Sequence, residues 1–205
     1  MNYIYTFRMP YLKVMHMGDE EKVQIENIVA STALAEKLDL GKIALTLDGA
    51  EYEPEQFPGL IYRLKEPKTA VLIFRSGKVN CTGAKDIESV KKTIDILVKK
   101  LKQAGIDVYD NPKIVVQNIV AVYDLGTELN LTKIALSLGL ENVEYEPEQF
   151  PGLVYRVEDP KVVLLLFGSG KVVCTGAKKK EEIVEAIKKL KADLKNVGLI
   201  DENNI

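Results

Sequence analysis

The side chains that most often carry catalysis are scarce in this 205-residue chain. His16 is its only histidine and lies in an N-terminal segment that we expect to be outside the fold, which argues against histidine triads and histidine metal sites. Cys81 and Cys174, the only cysteines, form no C-x-x-C motif. Glu53 and Glu55 have the residue types of an acid and base pair, but their loop is proline-rich and has no pocket signal. We therefore predict that the chain is not an enzyme and has no metal or cofactor.

Two phenylalanines are more informative, because each lies in a loop of unusual composition. Phe57 lies in the sequence QFPG at Gln56–Gly59, and Phe150 lies in the same four letters at Gln149–Gly152. A phenylalanine in such a loop usually folds back into the core. Its occurrence twice, each time near a strand that is apolar on both faces, favours a second interpretation, in which the rings bind something.

The two loops belong to an internal repeat, which is the strongest organisational signal in the sequence. Tyr52–Leu60 and Tyr145–Leu153 both read YEPEQFPGL, and the shorter identities NIVA, SGK and CTGAK occur around both. The turn-rich segment Asp110–Pro112 joins the copies. The predicted division is an unstructured or artefactual extension (1–21), a first repeat (22–110), a second repeat (111–200) and a short tail (201–205).

Each repeat reads as a strand, a short helix, three strands and a long helix. Alternating apolar residues and turn residues mark the strands. Asp39 and Asn130 are predicted to cap the short helices, and Gly105 and Gly198 to end the long ones. In the first repeat the predicted elements are strands at 23–31, 60–64, 69–74 and 78–82, a short helix at 40–47 and a long helix from 86. This order predicts an α+β fold, with helices on one face of an antiparallel sheet and the sheets of two pseudo-symmetric repeats merged.

The face of the sheet without helices is predicted to be apolar, although water would favour polar side chains there. Val71–Phe74 is apolar at every position, and so is its copy. We place both cysteines under the helices as small buried residues. The predicted open face consists of Asn27, Val29, Leu72, Phe74, Asn80 and Thr82, with Asn118, Val120, Leu165, Phe167, Val173 and Thr175 in the second repeat. Such a face indicates an interaction surface or an oligomer interface.

The bulk charge argues against nucleic-acid binding. The formal net charge is −2 and the pI about 5.7, whereas nucleic-acid-binding domains are usually basic. No apolar run has the roughly 18–20 residues of a membrane-spanning helix, and no secretory signal is recognisable. We expect a cytoplasmic protein.

The repeated motifs QNIVA, YEPEQFPGL and SGKVVCTGAK nevertheless resemble the conserved core of TATA-binding proteins, over about residues 22–198. Identical loops in both halves resemble the archaeal members. The resemblance implies a saddle with a continuous, curved, ten-stranded antiparallel sheet, its concave face on the minor groove and its helices on the convex face. It also implies a general transcription initiation factor. Such a factor binds the TATA box of double-stranded promoter DNA and nucleates the preinitiation complex with a TFIIB-like factor and, indirectly, RNA polymerase.

The resemblance also assigns site residues. Phe57 with Phe74, and Phe150 with Phe167, correspond to two pairs of rings that intercalate and kink the DNA. Base-edge contacts correspond to Asn27, Asn118, Thr82, Thr175, Val29, Val120, Leu72, Leu165 and Val173, together with Asn80, which replaces a valine of the family pattern. Phosphate contacts correspond to Arg63, Arg156, Ser76, Ser169, Lys78 and Lys171. The docking loop for the TFIIB-like factor corresponds to Glu144, Glu146 and Glu148.

Physical chemistry is consistent with these roles. A·T pairs offer chiefly acceptors in the minor groove and G·C pairs add an amino donor, so an apolar face should penalise G·C. A phenylalanine that left water entirely would contribute roughly 4–6 kcal/mol, against a few kcal/mol to unstack a base step, a mechanism taken from the family and not from these residues. Affinity would then depend on apolar burial, with cations on the groove rim and the acids elsewhere, in the loops.

The alternative is a protein-interaction module whose apolar face binds a partner or a second copy of the chain. A homodimer in the absence of DNA is compatible with both interpretations. The lysines of the long helices are predicted to be solvated: Lys91, Lys92, Lys99, Lys100, Lys188, Lys189 and Lys191.

Overall fold

The computed structural model describes residues 19–139 and 141–200. Most of the predicted extension and the whole predicted tail lie outside these ranges. In chain order the elements are α1 (Asp19–Lys22), β1 (Gln24–Ala33), α2 (Leu40–Thr46), β2 (Gly59–Leu64), β3 (Thr69–Phe74), β4 (Lys78–Ala84), α3 (Ile87–Gln103), β5 (Val115–Asp124), α4 (Leu131–Leu138), β6 (Val143–Glu144), β7 (Leu153–Val157), β8 (Val162–Leu166), β9 (Lys171–Ala177) and α5 (Lys180–Asn196). None of the helices in the described ranges is long and apolar enough to cross a membrane.

The strands form one curved antiparallel sheet in the order β2-β3-β4-β1-β5-β9-β8-β7-β6. The two repeats meet at β1 and β5, where Ile28 lies opposite Ile119, so the predicted α+β fold with merged sheets is confirmed. The expected tenth strand is not formed among the described residues. Its first-repeat position is an isolated bridge between Glu51 and Ile61, because only one residue pairs there, whereas β6 pairs two.

The helices cover one face of the sheet and make a continuous core with it. The apolar stripe of each long helix is buried, as predicted: Val90, Ile94, Leu97 and Leu101 in α3, and Ile183, Ile187, Leu190 and Leu194 in α5. Cys81 and Cys174 are buried in the same core. Burial raises the pKa of the Cys81 thiol to about 11 and that of Cys174 to about 12, so both thiols stay protonated at neutral pH and act as packing residues.

Local capping explains where the helices begin and end. The side chains of Asp39, Asn130 and Asp86 each accept a hydrogen bond from the backbone N–H three residues on, at 3.1, 3.0 and 2.6 Å. These bonds satisfy donors that a helix N-terminus otherwise leaves unpaired. Gly105 and Gly198 follow the long helices with φ of 69° and 70°, a conformation that favours glycine and ends a helix.

The N-terminal turn α1 is fixed to the second repeat by a polar cluster. Asp19 accepts a hydrogen bond from the Tyr123 hydroxyl at 2.7 Å and pairs with Lys191, whose Nζ lies 5.0 Å from the centre of the Tyr123 ring. Two predictions were therefore wrong: the fold extends at least to Asp19, inside the expected extension, and Lys191 is not a solvated helix lysine. The corresponding first-repeat residues are Thr32 and Val98, so the repeat pattern gave no sign of this cluster.

Candidate nucleic-acid interface

The sheet face opposite the long helices carries all the predicted open-face residues. Each of them is half-buried, whereas the residues that alternate with them along the strands are buried in the core. In β3, for example, Val71 and Ile73 are fully buried, while Leu72 and Phe74 are half-exposed. The structure therefore brings the predicted base-edge residues together on one surface.

Two pairs of aromatic rings lie towards opposite ends of this open face. The rings of Phe57 and Phe74 are 6.0 Å apart, centroid to centroid, at an interplanar angle of 65°. The rings of Phe150 and Phe167 are 5.9 Å apart at 69°. Both are edge-to-face contacts, the arrangement that aromatic pairs prefer. The pairs are the ones that the sequence predicted.

The QFPG loops hold the rings in place through a tight turn and a close approach. In each loop one glutamate carbonyl accepts the N–H groups of both the glutamine and the phenylalanine, at 2.9 Å. A Cβ on Gly59 would lie 2.7 Å from Cε1 of Phe57, and one on Gly152 would lie 2.6 Å from Cε1 of Phe150. Only glycine therefore allows the rings to lie against the backbone. The Phe150 ring does not return to the core, since 38% of the residue is exposed.

The asparagines at the centre of the sheet are held in a fixed orientation. Oδ1 of Asn27 accepts hydrogen bonds from the Gly83 N–H at 2.7 Å and from the Thr82 hydroxyl at 3.3 Å, and its Nδ2 lies 3.2 Å from Thr82 Oγ1. The second repeat makes the same three contacts, at 2.7, 3.4 and 3.2 Å, between Asn118, Gly176 and Thr175. Because the amide oxygen is already engaged with the backbone, the Nδ2 group is the part left to donate.

The rim carries the predicted phosphate-contacting residues, and all of them are exposed: Arg63, Arg156, Ser76, Ser169, Lys78 and Lys171. The expectation that the acids lie elsewhere was wrong for one residue of each loop. Arg63 pairs with Glu51 at 2.6 Å and Arg156 with Glu144 at 3.1 Å. The bridge at Ile61 brings Glu51 beside β2, two residues from Arg63. Both pairs are exposed and contribute about 0–1 kcal/mol at most, so a phosphate can displace the carboxylate.

Cations that the sequence did not single out extend the rim of the first repeat. An open pocket of about 630 Å³ is lined by Arg63, Lys65 and Lys68, next to the central asparagine Asn27. In the second repeat Glu158 replaces Lys65, so positive charge is concentrated on the first repeat. Comparing the two copies for charge reversals, and not only for identities, would have found this difference.

The three glutamates predicted to dock a partner are in different states. Glu144 is paired with Arg156, and Glu146 accepts a hydrogen bond from Gln149 at 2.5 Å. Glu148 is exposed, as are the repeated Glu53 and Glu55. The loops therefore present acids on the surface in both repeats, and the partner contact stays a prediction.

Comparisons with known proteins agree with this architecture. The family model described as transcription factor TFIID (or TATA-binding protein, TBP) matches residues 22–104 and 113–197. The TATA-box-binding proteins of Picrophilus torridus and Thermoplasma acidophilum are 78% and 77% identical over 184 residues, which is 90% of this chain and 100% of each relative. The solved TBP of Methanococcus jannaschii superposes with a TM-score of 0.80 at 56% identity, covering 85% of this chain and 99% of that one. The chain therefore belongs to the TATA-binding protein family, a family of transcription factors and not of enzymes, and resembles its archaeal members.

Proposed function

We propose that this protein binds the TATA-box element of promoter DNA in the minor groove through its open sheet face and kinks the duplex with its phenylalanine pairs. The observation that carries the proposal is the combination of an apolar floor, two oriented central amides and a pair of rings towards each end. Each feature occurs in both repeats, which suits a duplex whose two strands are related by a twofold axis.

The spacing of the ring pairs fits a short DNA element. Phe74 ends β3 and Phe167 follows β8, and these strands are separated by β4, β1, β5 and β9. Five inter-strand spacings of about 4.8 Å place them about 24 Å apart along the sheet. At about 3.4 Å per base pair, this distance corresponds to about seven base pairs, which would place one kink near each end of a short box.

The chemistry of the floor favours A·T pairs. The central amides of Asn27 and Asn118 present donors, and A·T pairs present acceptors in the minor groove. Around them lie apolar side chains such as Val29 and Val120, which cannot accept a hydrogen bond from the amino group of guanine. A G·C pair would therefore bury an unsatisfied donor, at a cost of about 1–3 kcal/mol.

DNA-binding titrations test the proposal directly. Fluorescence anisotropy with a TATA duplex and a G·C-substituted duplex of equal length should show a preference of at least about 100-fold, since several pairs each cost about 1–3 kcal/mol. The control variant is Leu136→Ala, which removes an 81% exposed leucine from α4 and should bind as the wild type does. Equal affinity for both duplexes would contradict the proposal.

We also propose that the DNA complex recruits a TFIIB-like factor through the second-repeat loop and, through that factor, RNA polymerase, in the cytoplasm at the nucleoid. The exposed acids of the loop support this step. Reversing the charges of Glu146 and Glu148 should abolish ternary-complex formation but not DNA binding. The same change at Glu53 and Glu55 is the matched control and should leave the ternary complex intact. If both changes behave alike, the second-repeat loop is not the docking site.

A homodimer in the absence of DNA is the second expected assembly, because the open face is apolar. Sedimentation should then show a dimer that a TATA duplex dissociates. A dimer that persists with bound DNA would place the self-association surface elsewhere.

A further inference from the structure

The pseudo-twofold symmetry of the open face is broken at two neighbouring positions. Asn80 in β4 lies opposite Ser31 in β1. The corresponding residues of the second repeat, Val173 in β9 and Val122 in β5, also lie opposite each other. All four are half-buried on the open face. One part of the floor is therefore polar, and its symmetry mate is apolar.

The polar part has hydrogen-bonding capacity to spare. Ser31 Oγ accepts a hydrogen bond from Gln117 Nε2 at 2.6 Å, which leaves its hydroxyl hydrogen to donate. Within residues 19–139 and 141–200 the Asn80 amide has no hydrogen-bond partner, and its other cross-strand neighbour is Leu72. Unlike Asn27, whose oxygen is held by a backbone N–H, Asn80 can offer both an acceptor and a donor.

These two capacities match a base pair that the rest of the floor rejects. A G·C pair presents the guanine amino donor in the minor groove beside its acceptors. The Asn80 oxygen can accept from the amino group while its nitrogen donates to a neighbouring acceptor. Neither Val122 nor Val173 can do so, and a buried donor without a partner is unfavourable.

We propose that Asn80, assisted by Ser31, lets the first-repeat half of the site accept a G·C pair that the second-repeat half excludes, and that this difference orients the protein on an asymmetric box. The inference rests on the proposed function, namely that this face reads the minor groove. Asn80 is then a specificity-determining residue whose role its second-repeat counterpart, Val173, does not share.

A self-complementary box tests this whichever way round the protein binds. TATATATA binds in two equivalent orientations. Duplexes are prepared in which each position of one half is changed to G·C in turn, and others in which both symmetry-related positions are changed. At the position that faces Asn80, the wild type should lose only about twofold from one substitution, because one of two orientations remains. The doubly substituted duplex should lose roughly tenfold or more, because one G·C pair must then face the valines.

Reciprocal variants provide the control. Asn80→Val should raise the loss from the single substitution to roughly tenfold or more, and Val173→Asn should restore binding of the doubly substituted duplex to within a few-fold of TATATATA. Thermal unfolding checks that both variants fold. If the wild type prefers TATATATA over a G·C duplex but Asn80→Val leaves the single-substitution penalty unchanged, this inference fails alone. If the wild type shows no such preference, the proposed function itself fails.

Discussion

Replacing Phe150 by alanine should weaken TATA-box binding by roughly 10- to 60-fold, or about 1.4–2.4 kcal/mol. An aromatic side chain buries about 150–250 Å² in full. Since only 38% of Phe150 is exposed in the free protein, about 60–95 Å² is left to bury at about 25 cal/mol/Å². The sequence-based figure of roughly 4–6 kcal/mol per ring was therefore too large, because the free protein already covers most of the ring.

The smaller figure has a consequence for the kink. Two partly covered rings provide about 3–5 kcal/mol, which is close to the few kcal/mol that unstacking one base step costs. Kinking is then nearly balanced and should depend on easily deformed pyrimidine–purine steps such as TA. The same replacement should thus reduce the bend as well as the affinity.

The assay combines anisotropy for the dissociation constant with energy transfer between dyes at the duplex ends for the bend. Thermal unfolding must accompany it, because loss of the edge-to-face contact with Phe167 costs about 0.5–1.5 kcal/mol of stability. Leu136→Ala is the matched loss of exposed apolar area. A Phe150→Ala protein that is folded and binds and bends the TATA duplex like the wild type would refute the reasoning.

Three further outcomes are expected. Asn118→Asp keeps the oxygen but loses the donor, so TATA affinity measured by anisotropy should fall roughly 10- to 100-fold with little change in melting temperature; unchanged affinity would show that the amide donates nothing to DNA. Glu144→Gln frees Arg156 from its ion pair, so affinity should rise and the slope of log K against log salt should steepen by up to about 1; a flatter slope would contradict this. Burial opposes the lowered pKa of Asp19, but its hydrogen bonds with Lys191 and Tyr123 outweigh it. Asp19→Asn should therefore lose about 1–3 kcal/mol of stability at pH 7 in urea titrations. That difference should shrink as pH falls below the ordinary value of 3.8, because the wild-type carboxylate then becomes protonated, and a constant difference would exclude an ionic origin.

Local chemistry made most of the fold predictable from the sequence. The caps at Asp39 and Asn130 and the apolar stripes of the long helices depend on residues close in the chain, and the structure confirms them. The strand predicted at 23–31 ends two residues later, at Ala33, because Thr32 and Ala33 pair with β4. That pairing depends on a distant strand, which no local pattern encodes.

The candidate site was predictable to the extent that the two copies agree. The ring pairs and the central asparagines occur in both repeats, so duplication singled them out. The sequence could not decide whether the QFPG rings return to the core, because this depends on the close approach at Gly59 and Gly152. Contacts present in only one copy, such as that between Asp19 and Lys191, were not foreseen, because they join residues far apart in the chain.

Binding to a duplex in which inosine·cytosine pairs replace the A·T pairs of the TATA box tests the central claim most directly. This duplex keeps the minor-groove acceptors and lacks the guanine amino group, while its major groove resembles that of G·C. The open-face account predicts affinity close to that of the TATA duplex and at least about 100-fold above that of the G·C duplex. Affinity as low as for G·C would contradict it, because the protein would then be reading the major groove.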